Sequence, residues 1–168
     1  RNAEAAVTVS KIELSADNVT IDGLLFTGSS DGFINVSGSG ATFENLVAET
    51  DGTSTVRLYS TADDAVITNN LFNGDGGNWI INAHQGSTPV DGVEITNNVF
   101  RNADKSVIQA KYTNGLISGN TFNNVGEDAI RLVGNVDGTE VTENNIQNTG
   151  LDPKNASTPL LSGIVANS

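Results

Sequence analysis

The sequence predicts an all-β chain wound as a parallel β-helix, a solenoid of about six to seven coils with three short strands in each. Three observations carry this prediction. An apolar motif returns at intervals of 22 to 28 residues, a second apolar position follows each motif at constant distance, and no helical periodicity lies between them. The repeat is visible by eye: "ITNNLFN" at 67–73 comes back as "ITNNVFRN" at 95–102 and as "ISGNTFNN" at 117–124.

The first strand of each coil is anchored on Ile21, Phe43, Ile67, Ile95, Ile117 and Val141. Five residues later the second strand places Phe26, Ala48, Phe72, Phe100, Phe122 and Ile146, and together the two series fill the bore. Between them the later coils carry Asn70, Asn98, Asn120 and Asn144, where the first two have Leu24 and Leu46. Like positions in successive coils stack about 4.8 Å apart, so these asparagines can pass an amide hydrogen bond from coil to coil and satisfy polar groups turned inward at a corner. Asn also suits the left-handed backbone that tight corners demand.

A six-residue turn follows at 27–32, 49–54, 73–78, 101–106 and 123–128, and the last, 147–162, is longer. The third strand is read in "FINVS", "VRLYS", "WIINA", "VIQAK", "AIRLV" and "GIVAN", each alternating with period two, and Ile12 with Leu14 supplies an earlier rung of the same kind. Length variation falls in the remaining turn, which holds "HQGSTPVDG" at 84–92 and only "YTNG" at 112–115. "DN" at 17, "DG" at 91 and 137 and "NG" at 114 are turn chemistry. Residues 1–168 form one domain, itself a segment that a longer solenoid can continue.

Composition narrows the partners. A formal charge of −12 with eight basic residues argues against nucleic acid, which needs clustered Lys and Arg. Cysteine is absent, which removes disulfides and thiolate metal sites. No apolar run reaches the roughly 20 residues of a membrane span, and no signal peptide opens the chain, so a secreted form would have lost its leader. The expected location is extracellular or at the cell surface.

The iterated "I-x-x-N-x-F" coil resembles the right-handed parallel β-helix superfamily of pectate-lyase-like enzymes, phage tailspikes and bacterial surface proteins, and it covers residues 12–166. Within it, "DKSVIQAKYTNGLISGNTFNNVGEDAIRLVGN" is similar to a segment of the chondroitinase B and alginate lyase family. That resemblance implies Lys111 as base, Arg131 as its partner in the next coil and Asp104 as a calcium ligand, in a β-elimination beside a uronate carboxylate. The pattern departs from the family in having Ser106 where a second acidic residue is expected and Leu132 where a His follows the Arg.

Alternation of the third strand turns Asn35, Arg57, Ile81, Gln109, Arg131 and Val165 outward in one column, with Ser37, Tyr59, Ala83, Lys111, Val133 and Asn167 in a second. Arg57, Tyr59, Trp79, His84 and Gln109 are therefore candidate sugar-binding residues, with the aromatics as stacking platforms. His84 is the lone histidine and opens the longest middle turn, a placement that suits a solvated loop residue better than a catalytic one. Turn acids at Asp31, Asp51, Asp75, Asp104, Glu127 and Asp128 lack the spacing of a calcium-binding repeat, so no cofactor is expected unless calcium serves the lyase chemistry. The favoured function is a structural or adhesive module, self-assembling or carbohydrate-binding, with the uronate lyase or a remnant of one as the alternative. Its partners are other copies or further solenoid joined through the end rungs, and acidic or neutral polysaccharide. Phe33, Trp79 and Val107 form an apolar column suited to a lateral contact.

Overall fold

A computed structural model describes residues 11–28, 31–50, 54–74, 79–83, 87–150 and 163–167. Every described strand pairing is parallel, and the strands fall into three long sheets that follow one another around each coil. Sheet A holds β1 (Ile12–Leu14), β4 (Asp31–Val36), β7 (Ser54–Leu58), β10 (Trp79–Ala83), β14 (Ile108–Ala110), β18 (Ile130–Val133) and β21 (Ile164–Asn167). Sheet B holds β2 (Thr20–Asp22), β5 (Thr42–Glu44), β8 (Val66–Thr68), β12 (Glu94–Thr96), β16 (Leu116–Ser118) and β19 (Glu140–Thr142). Sheet C holds β3 (Leu25–Gly28), β6 (Val47–Thr50), β9 (Leu71–Gly74), β13 (Val99–Ala103), β17 (Thr121–Val125) and β20 (Asn145–Thr149). The fold is the expected parallel β-helix with three strands per coil. Among the described residues no helix is long and apolar enough to cross a membrane.

Strand register follows the sequence period. Ile21, Phe43, Ile67, Ile95, Ile117 and Val141 are consecutive partners in sheet B, and Phe26, Ala48, Phe72, Phe100, Phe122 and Ile146 in sheet C. Phe72, Phe100 and Phe122 stack with ring centroids 5.2 and 5.0 Å apart, the spacing that consecutive coils impose on identical residues. Where the second column drops to Ala48, the first rises to Phe43, and both are buried. One large and one small residue thus replace the usual pair of the bore.

The asparagine ladder runs through the B-to-C corner. The side-chain oxygen of Asn98 accepts from both the backbone N–H and the Nδ2 of Asn70, at 2.9 Å each; Asn120 serves Asn98 likewise, and Asn144 serves Asn120. Each Nδ2 spends its second proton on a carbonyl of the preceding coil: Phe43, Ile67, Ile95 and Ile117 in turn. The ladder begins where the Leu46 N–H donates to Asn70 Oδ1 at 2.8 Å. The left-handed conformation belongs to the residue before, at Gly23, Asn45, Asn69, Asn97, Gly119 and Glu143. The expectation that one Asn performs both tasks is therefore corrected: in "TNN" the first Asn makes the bend and the second the ladder.

Three further departures have local causes. Sheet C continues into the expected six-residue turns, because Asn102 and Asn124 at φ 57° bend the strand so that Ala103 and Val125 re-enter the core. The turn of variable length contains a small fourth sheet, in which β11 (Val90–Asp91) pairs with β15 (Tyr112–Thr113) and the Tyr112 ring is buried. In sheet A the amides of Ile80 and Ile81 both donate to the Val107 carbonyl, a one-residue irregularity that shifts β10 relative to its expected alignment. Ile81 therefore pairs with Val56 and Ile108 and faces the core, Asn82 takes the outward place given to Ile81, and Ala83 faces in beside Ala110. Val107 is fully buried, so the apolar column built on it for lateral contact does not form.

Candidate functional site

The outer face of sheet A gathers most of the candidate residues. With Ile12, Ile34, Val56, Ile81, Ile108, Ile130 and Ile164 stacked on its inner side, alternation presents Glu13, Asn35, Arg57, Asn82, Gln109, Arg131 and Val165 outward, one per coil. From Arg57 to Arg131 the column spans about 14 Å, three steps of the coil rise. These side chains are planar amides and guanidinia; Asn82 retains only 2% of its exposure, and Arg57, Gln109 and Arg131 are half-buried.

At the upper end, Asn35 Nδ2 donates to Glu13 Oε1 at 3.0 Å, and Glu13 pairs with Lys11. The hydrogen bond from Lys11, then that from Asn35, hold the Glu13 carboxyl below its ordinary range, and the Glu13 carboxylate raises the Lys11 ammonium. At the lower end, Gln109 and Arg131 are register partners on β14 and β18. Buried polar atoms on this face without a hydrogen-bond partner among the described residues include the Asn35 side-chain oxygen and Arg131 Nε. A buried donor left unmade costs about 1–3 kcal/mol, so such atoms mark places where a ligand or water gains by binding.

Lys111 ends the β14 rung, one coil before and two residues past Arg131 by register. Its ammonium donates to the Ser87 carbonyl of the preceding coil, and its stem lies over Gly134 of the next, where a Cβ would come within 3.2 Å of Cε. Lys111 thus bridges three coils. Asp104 is exposed at the opposite end of the same rung, and among the described residues no three His, Cys, Asp or Glu side chains converge as a metal site. Tyr59, 38% exposed, lies two residues beyond Arg57 on the face. Trp79 opens β10 opposite Ser54, half-buried, with its indole nitrogen buried and without a partner among the described residues. His84 lies outside the described residues, as do Asp51 and Asp75.

The site therefore unites Arg57, Gln109, Arg131 and Lys111 on one face and leaves Asp104 apart. Asn82 was missed because "WIINA" was aligned on its first isoleucine; matching "INA" at 81–83 to "IQA" at 108–110 recovers it. Lys11 and Glu13 lie on the first described rung and carry no repeat signal in the sequence. Comparison with protein families, curated proteins and solved structures found no match to this chain.

Proposed function

We propose that this chain is a module of an extracellular or cell-surface solenoid that serves as a rigid support and binds an anionic carbohydrate polymer along the outer face of sheet A. The observation that supports it is the half-buried column from Arg57 to Arg131, with Lys111 beside it, in a chain of net charge −12. A cationic strip on an acidic body favours a carboxylated ligand and repels the rest of the surface from it. Guanidinium forks and amides at successive coils match carboxylates and hydroxyls repeating along an extended sugar chain. Among the described residues β1 and β21 are the edge strands of sheet A, and pairing of such edges with further coils or another copy is the assembly part of the same proposal. Calorimetric titration with oligouronates tests the binding: Arg131→Ala is expected to weaken it about tenfold or more, as loss of a charged hydrogen bond does. Equal binding of a neutral glucan, or none of either, overturns it.

A second proposal, uronate β-elimination, is favoured by one observation, the placement of Lys111 and Arg131 on adjacent rungs of one face. Against it stand the Ser87 carbonyl on the Lys111 amine and the absence of a second acidic residue and a His from the local pattern. Ultraviolet absorbance of unsaturated uronate products, measured on alginate and chondroitin-type polymers with and without calcium, is expected to stay flat. Product formation that Lys111→Ala abolishes would reverse the order of the two proposals.

A further inference from the structure

The outer face of sheet C is self-complementary, and we infer that it is a dimer interface between two copies of this chain. Because Phe26, Ala48, Phe72 and Phe100 point inward, the flanking positions point out. One outward column runs Val47, Leu71, Val99 in consecutive coils; the other runs Glu49, Asn73, Arg101. Both are symmetric about β9. Its Leu71 has a valine one coil to either side, and its Asn73 has an acid on one side and a base on the other.

Consider a two-fold axis lying in the interface along β9. It reverses the solenoid direction and preserves the strand direction, so Leu71 meets Leu71, Val47 meets Val99, and Glu49 meets Arg101 in both symmetry-related places. Val99 is 40% exposed, and both Glu49 and Arg101 are exposed with no intrachain ion pair among the described residues. A second copy is the occupant that satisfies all three pairings at once, because the charges repeat at the spacing of the apolar residues they flank. Five rungs, β3 to β17, overlap about this axis, and at ~4.8 Å by strands of ~15 Å they give roughly 360 Å² of contact per copy. About 700 Å² in total lies below the ~1,200 Å² at which standard specific interfaces begin, so the dimer is of the weak, transient kind, forming at high micromolar concentration or above.

Sedimentation equilibrium from micromolar to near-millimolar protein tests this. A monomer–dimer equilibrium is expected that Leu71→Asp abolishes and that Arg101→Glu weakens about tenfold or more, because it sets like charges opposite each other twice. The charge swap Glu49→Arg with Arg101→Glu is expected to restore association. Circular dichroism confirms that each variant stays folded. A chain that remains monomeric throughout, a dimer indifferent to Arg101→Glu, or a swap that fails to rescue would each overturn the inference.

Discussion

Two corners of the solenoid turn the chain with a left-handed residue in every coil, yet they are built on opposite terms. The B-to-C corner follows its bend with an inward side chain, and in four coils that side chain is an Asn; at Asn70, Asn98 and Asn120 both amide protons and the amide oxygen bond to protein. The A-to-B corner bends at Asn18, Gly40, Asp64, Gly92, Asn114 and Gly138, alternating a short polar residue with glycine. The alternation has a steric cause: a Cβ on Gly40 or Gly138 would lie 2.5 Å from the Oδ1 of Asn18 or Asn114 in the coil before, and Gly92 meets Asp64 in the same way. Buried identical residues stack by exchanging hydrogen bonds, whereas at the exposed corner a side chain rises into the space its successor leaves. Burial decides which solution is robust, since water can replace a lost partner only at the second corner.

The largest test of this contrast is Asn98→Ala. It strands the Asn70 N–H and one Asn70 Nδ2 proton and removes a donor from the Ile67 carbonyl, all in a dry corner. Denaturant unfolding should show a loss of about 3–5 kcal/mol, near the upper end for a single substitution. Asn144→Ala should cost about 1–2 kcal/mol, because Asn144 is half-buried at the end of the ladder and water reaches the gap. Equal losses at the two positions would show that burial is not the controlling variable.

Gly92→Ala sharpens the other side. Gly92 sits at φ 67°, where a Cβ is strained, and the added methyl would press on the Asp64 carboxylate. Since Asp64 is exposed and free to swing aside, the expected loss is about 1–2 kcal/mol, mostly backbone strain. Adding Asp64→Ala should then recover only a few tenths of a kcal/mol in a double-mutant cycle.

These corners also show what a sequence displays and what it hides. The bore columns and the ladder were legible because each buried position accepts few residue types, so stacking writes the same letter once per coil. Exposed features left no such mark. Asn102 donates to Asn73 at 2.7 Å and Asn124 to Asn102 at 3.2 Å, a second amide series that lies in solvent and was read only as turn. The slip in β10 was hidden for a different reason: Ile80 and Ile81 are both apolar, so either satisfies the pattern and only pairing distinguishes them. At the candidate site the same slip exchanged Asn82 for Ile81, while Arg57, Gln109, Arg131 and Lys111 were placed correctly by alternation alone.

Glu143 is the exception within the B-to-C series. It holds φ 56° where the other coils use Gly or Asn. Its side chain is exposed, so nothing in packing offsets the strain, and Glu143→Asn should stabilise by about 0.5–1 kcal/mol, seen as a rise in thermal midpoint.

The smallest expected effect is a titration at the A-to-B corner. Asp91 Oδ1 accepts from Thr113 Oγ1 at 2.6 Å and from Asn114 Nδ2 at 2.8 Å, tying one coil to the next in solvent. The Thr113 hydroxyl first, then the Asn114 amide, hold the Asp91 carboxyl below its ordinary value. A carboxyl depressed in the folded state contributes stability that is complete above its unfolded value of about 3.9 and is lost as pH falls through the lower folded value. Asp91→Asn keeps an acceptor of similar shape but cannot titrate there. The stability difference between the parent chain and this variant should therefore be positive at neutral pH and shrink as pH drops below about 4. Urea unfolding of both proteins at a series of pH values measures it. A difference that stays constant into acid would mean that the Thr113 and Asn114 contacts contribute by shape alone, and that charge has no part in joining coils at this corner.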